Sequence, residues 1–171
     1  MNEEQLKNLL QNPKLVDEKI KFYLENKMLF EQMYDEAEIK GHMEKAGHNL
    51  NFIKDALEDG YTDWSITGCY YASYHIALAL LLKKGFSSKN HDATLCILIK
   101  YYYNKELTNE DIELLNKIYL DNNDILFYVQ SKQEREKASY SSQIVFDKKL
   151  VNEIRLKTIL FVSKCKEIIN K

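Results

Sequence analysis

Residues 67–85 read Thr67-Gly68-Cys69-Tyr70-Tyr71-Ala72-Ser73-Tyr74-His75-Ile76-Ala77-Leu78-Ala79-Leu80-Leu81-Leu82-Lys83-Lys84-Gly85. Small residues and aromatics alternate along a helix that turns purely aliphatic and stops at a glycine. Gly68, Ala72 and Ala77 allow a neighbouring helix to approach closely. The tyrosines carry hydroxyls into a seam that must stay partly wet. That combination is uncommon in a generic amphipathic helix. Five glycines and one proline in 171 residues supply too few tight turns for an all-β chain. With 45% hydrophobic and 29% charged residues, the composition is that of one folded domain.

Apolar spacing elsewhere is helical as well. Asn12 followed by Pro13 reads as an N-cap with proline at the first helical position. It predicts a helix from Pro13 to the early thirties carrying Ile20, Leu24, Phe30 and Met33. A second helix places Ile39, Met43, Ala46, Leu50, Ile53 and Leu57 at alternating steps of four and three, a seam suited to antiparallel packing. Asp59-Gly60 ends it. The third helix starts near Thr62 or Asp63 and runs to Gly85. A polar loop, Ser87-Ser88-Lys89-Asn90, leads to a fourth helix with Leu95, Leu98, Ile99 and Tyr102. Thr108-Asn109-Glu110-Asp111 caps a fifth, carrying Ile112, Leu115, Ile118 and Tyr119. Asp121-Asn122-Asn123-Asp124 predicts a break, and 138–142 a loop or frayed end. The last helix has Val151, Ile154, Thr158, Phe161, Cys165 and Ile168. The expected architecture is all-α: an up-and-down bundle of about five helices over 36–171, preceded by an N-terminal helical extension over 1–35.

A net charge of −2 gives no global attraction to nucleic acid, although a local basic patch remains open. Arg135 and Arg155 are the only arginines among 24 basic residues. Arginine suits bidentate contact with phosphate or carboxylate, so both are worth following. Cys69, Cys96 and Cys165 lie far apart in apolar surroundings, as buried free thiols of a reducing compartment do. No run of 18 apolar residues predicts a membrane span. The opening Met1–Gln5 is polar and lacks the apolar core of a signal peptide. A cytoplasmic protein with no membrane contact is expected.

The four histidines, His42, His48, His75 and His91, show no ligand spacing and no Glu-x-x-His pair, so neither metal nor cofactor is expected. There is no glycine-rich phosphate loop and no nucleophile elbow. Tyr101-Tyr102-Tyr103 cannot all face one side, so at least one hydroxyl stays exposed. Aromatics beside lysines can stack bases, and they equally build a bundle core or a dimer interface. His75 reads either as a core histidine bonded to a tyrosine or carbonyl, or as a site residue. His91, at a loop–helix junction, reads as a cap or as a site residue. Ser131–Tyr140 reads as a solvated helix face with internal ion pairs, or as a segment presenting Arg135 with Tyr140 five residues on.

Two of these segments together resemble the HEPN family (higher eukaryotes and prokaryotes nucleotide-binding domain). The likeness rests on Tyr70-Tyr71-Ala72 with His75, on Ala79-Leu80-Leu81-Leu82 and Gly85, on His91 after the loop, and on Arg135, Ser139 and Tyr140. It covers about residues 40 to 170. The resemblance implies a helical bundle that dimerises and binds a nucleotide or RNA. It implies a place in toxin–antitoxin or defence systems, often beside a minimal nucleotidyltransferase partner. Nuclease members resemble one another in an Arg-x(4–6)-His motif that meets its symmetry mate at the dimer cleft.

This chain departs from that motif. Tyr140, Ser141 and Ser142 stand where the histidine is expected, and Ser139 replaces the usual aspartate. Metal-free RNA cleavage needs a group that exchanges protons near neutrality, which histidine does and tyrosine does not. The expected function is therefore a non-catalytic homodimeric module, with Arg135, Ser139, Tyr140, His75, His91 and Tyr71 binding nucleotide, RNA or a partner. The alternatives are a metal-independent ribonuclease with Arg135 and Tyr140 as catalytic residues, possibly with His75, and a structural bundle without a ligand.

Overall fold

The computed structural model describes residues 1–118 and 148–171. In chain order these form α1 (Glu3–Gln11), α2 (Pro13–Glu25), β1 (Leu29–Glu31), α3 (Glu36–Glu58), α4 (Thr62–Lys83), β2 (Phe86–Ser88), α5 (His91–Tyr102), α6 (helical over 109–118) and α7 (Lys148–Ile169). The fold is an all-α bundle with one small antiparallel ribbon, β1 against β2.

The alternating seam of α3 packs on α4 as its spacing requires. Ile39, Ala46, Ile53 and Leu57 are buried. Gly60, at φ +87°, turns the chain between the two helices. Gly68 lies so close to α3 that a Cβ there would meet Ile53 Cγ1 at 2.6 Å. Glycine is what lets the two backbones approach. Ala72, Ala77 and Ala79 are fully buried along α4, as are Leu80 and Leu81. α4 is long and apolar enough to cross a membrane by length and composition. Here it is the core helix of the bundle, with 72% of its most apolar window buried.

Polar contacts fix the helices around it. The Tyr102 hydroxyl, buried in α5, donates to the Leu80 carbonyl at 2.8 Å. Lys83, in the last turn of α4, donates to the Ile168 and Ile169 carbonyls at 2.9 and 2.5 Å. It thereby caps the C-terminal end of α7, where positive charge is favoured. Asp111 joins the Thr108 cap of α6 to Lys164 of α7. The three cysteines are free and buried, as their apolar surroundings predict.

Three details differ from the pattern read in the sequence. The chain before Pro13 is already helical, with Asn2 and Gln5 forming a capping box. Leu6 and Leu9 of α1 join Val16, Ile20 and Tyr23 of α2 in the main core. Next, α2 stops at Glu25 rather than in the early thirties. Lys27 takes a left-handed φ of 54°. Met28 N–H donates back to the Tyr23 carbonyl, and Lys27 N–H to Leu24. That is a Schellman ending, formed here without the glycine that would advertise it. Phe30 therefore lies on β1, and Met33 sits outside any helix, 88% exposed. Finally, residues 86–88 are strand rather than loop. Gly85, at φ +78°, reverses the chain and pairs Leu29, Phe30 and Glu31 with Ser88, Ser87 and Phe86. The expected break at 121–124 and loop at 138–142 lie outside the described residues.

The close approach at Gly68 yields a paired prediction. Gly68→Ala drives a methyl into Ile53 and destabilises the protein by about 1–3 kcal/mol, as overpacking does. Gly41→Ala in α3 has nothing within 4 Å of the new Cβ. It stabilises by about 0.5–1 kcal/mol through helix propensity alone. Urea midpoints of the two variants should move in opposite directions.

Candidate functional site

α4 presents its aromatics as a two-column ridge, because positions four apart stack on one helical face. Tyr70 and Tyr74 lie parallel, centroids 5.8 Å apart and planes at 6°. Tyr71 and His75 make the second column, 6.4 Å apart at 24°. α5 adds His91 at one side, edge-on to Tyr70 and Tyr74 at 5.5 and 5.6 Å. α3 adds His42 at the other, its ring centroid 5.1 Å from that of His75.

Hydrogen bonds join these rings. The Tyr70 hydroxyl lies 3.3 Å from His91 Nε2. The Tyr74 hydroxyl donates to the Ser88 carbonyl at 3.4 Å. Asn90 positions His91 by capping α5, accepting from Ala93 N–H at 2.9 Å. The shortest link is His42 Nδ1 to His75 Nδ1, at 2.9 Å. A neutral imidazole has one donor and one acceptor nitrogen. One ring of the pair therefore carries its proton on Nδ1 and the other on Nε2. A first added proton is taken by the free Nε2 of the ring that donates through Nδ1, and leaves that hydrogen bond intact. A second sets two N–H groups face to face.

Burial holds all three imidazoles neutral. It pushes His75 down from 6.5 to about 4, with His42 and the Lys45 ammonium adding to the effect. It also lowers His42, where Glu38 opposes the shift and Lys45 reinforces it. His91 is lowered by burial, against the pull of Asp92 and with the push of the N-terminal ammonium. Burial raises the Tyr70 phenol to about 12, with Tyr74 and Tyr71 adding to it, and raises Tyr74 too. The arrangement is an uncharged surface that stacks and hydrogen-bonds. Burial favours the neutral forms of its three imidazoles.

Of the residues singled out in the sequence, Tyr71, His75 and His91 come together on this surface. Tyr71 is 45% exposed and forms its outer rim. Arg135, Ser139 and Tyr140 lie outside the described residues. Arg155 is on α7, where its Nη1 donates to Asn152 at 3.3 Å. Neither a tyrosine nor a carbonyl holds the His75 Nδ1, as a core histidine was expected to require; His42 does. Sequence reading weighed His42 only as a metal ligand and missed its pairing. The signal was the antiparallel register. With Ile53 beside Gly68, His42 falls near the turn of α4 that bears His75. Among the described residues, no group of three or more His, Cys, Asp or Glu could hold a metal ion.

The HEPN domain family matches residues 39–157, from the first buried turn of α3 into α7. The chain belongs to the HEPN family. It is also similar to a UPF0332 protein of Archaeoglobus fulgidus, 27% identical over 137 residues, which span 80% of this chain and 98% of that protein. The six-ring surface lies wholly inside the family match.

The imidazole pair makes stability depend on pH. An unfolded histidine titrates near 6.5, whereas folded His75 titrates near 4. The unfolded chain thus binds the proton first as pH falls. The stabilisation is complete above 6.5 and is lost progressively between 6.5 and 4. The thermal midpoint should fall over that interval, and His75→Phe should flatten the slope.

Proposed function

We propose that this HEPN module binds a nucleotide or single-stranded RNA without cleaving it, using the outer face of α4 together with Arg135. The observation that carries this reading is the exposed ring of Tyr71 stacked on His75, on a surface where burial favours the neutral forms of His42, His75 and His91. RNA cleavage without a metal needs an acid and a base near neutrality. The positions after Arg135, from Glu136 to Ser142, hold no histidine to supply them. Binding asks for less. Exposed Tyr71, backed by His75, offers a π-face on which any base can stack. Arg135 offers a bidentate cation for phosphate. Ser139 and Tyr140, four and five residues later in the chain, supply hydroxyls.

In this reading the protein works as a homodimer in the cytoplasm, each subunit contributing Arg135 to anion binding. A minimal nucleotidyltransferase is its partner, and the pair acts as a toxin–antitoxin system. Support for those finer points comes from the family resemblance alone.

The test is fluorescence anisotropy of labelled single-stranded RNA with chelator present, followed by a gel of the same samples. Native protein should bind and leave the RNA intact. Tyr71→Ala should weaken binding by about tenfold, the scale of one lost stacking contact. Arg135→Ala should weaken it comparably and reduce its salt dependence. Cleavage by native protein that disappears in Arg135→Ala would replace this reading with a ribonuclease acting through Arg135 and Tyr140.

A further inference from the structure

Beside the aromatic ridge, a cleft of about 340 Å³ opens between the β1–β2 ribbon and the α3–α4 pair. Leu78 and Leu82 of α4 form its apolar floor, and Phe30 of β1 and Tyr74 form aromatic walls. Its two charged residues are Glu38 and Lys89. One Glu38 oxygen accepts from the Gln32 amide, which aims the carboxylate. Lys89 makes no ion pair among the described residues, and Ser87, two residues before it in the chain, also lines the cleft.

The geometry points to a binding site for a small zwitterion with an apolar side group, that is, a free α-amino acid of aliphatic or aromatic type. The volume is at the low end for ligand pockets, which excludes an oligomer. One carboxylate and one ammonium sum to zero charge. They match a ligand with an ammonium for Glu38, a carboxylate for Lys89 and Ser87, and a side chain for the leucine floor. A phosphomonoester fits poorly: its second negative charge would meet Glu38 and find only one cation. Gln32 keeps the carboxylate in place when the cleft is empty, so little ordering remains for the ligand to supply. The Tyr74 hydroxyl, bonded to the Ser88 carbonyl, ties the cleft wall to the aromatic ridge. This site does not depend on Arg135 or on RNA.

The experiment is isothermal titration of the full chain with L-leucine, L-phenylalanine, N-acetyl-L-leucine and AMP. The free amino acids should bind with millimolar or better affinity. N-acetyl-L-leucine, which lacks the ammonium, should bind about tenfold more weakly, the cost of one lost charge-assisted hydrogen bond. Glu38→Gln and Lys89→Gln are surface changes that leave the fold intact, and each should lower amino-acid affinity by about tenfold. RNA anisotropy of Lys89→Gln should equal that of native protein, which separates this site from the α4 face. No heat with either amino acid at about 10 mM, well above the weakest affinity expected, would overturn the proposal. So would affinity unchanged in both variants, or AMP binding that is lost in Glu38→Gln.

Discussion

The contact between α3 and α4 at Gly68 and Ile53 sets the rest of the molecule. A helix carrying tyrosines and histidines is normally held off its neighbour by its own side chains. Here the missing Cβ at Gly68 lets α3 lie directly against α4, and Ala79 clusters with Ile39 further along. Their antiparallel register then decides which polar groups meet. It brings His42 to within 2.9 Å of His75 without either residue having any local sequence signal for the other. The same close packing desolvates both rings and keeps them neutral. Backbone approach, imidazole pairing and the proton state of the surface are consequences of one packing choice.

The N-terminal segment completes the site from the other side. α2 ends early because Lys27 accepts a left-handed backbone, and that frees Leu29–Glu31 to pair with Phe86–Ser88. The ribbon brings Ser88 beneath the Tyr74 hydroxyl. Ser88 Oγ donates to Met28 and Asn90 carbonyls at 3.2 and 2.9 Å, locking the ribbon to the start of α5. His91 follows directly, so its place beside Tyr70 depends on a turn at Lys27, far upstream in the chain. Asn90 is at once the last residue of that lock and the N-cap of α5.

The bundle was largely legible in the amino-acid sequence because it is written in periodicity. The three-four seam of α3, the Gly60 and Gly85 stops, the Thr108 cap and the seam of α7 all appear where spacing puts them. The ribbon was not legible. Three-residue strands carry no alternation long enough to read, and the left-handed turn after α2 is made by a lysine rather than a glycine. The site was half legible. Tyr71, His75 and His91 could be named from the family resemblance, whereas His42 could not. Its role exists only across the α3–α4 interface, and periodicity reports which face a residue occupies, not which residue it meets.

We propose that packing keeps the imidazoles of this HEPN surface neutral, so that it binds rather than cleaves. The most direct measurement is a pH titration of the histidine side-chain resonances by NMR. His75 should show neutral-form shifts down to pH 5 and a midpoint near 4, and His42 should also titrate below 6.5. A midpoint at or above 6.5 for either ring would contradict the account and return an acid–base catalyst to the face of α4.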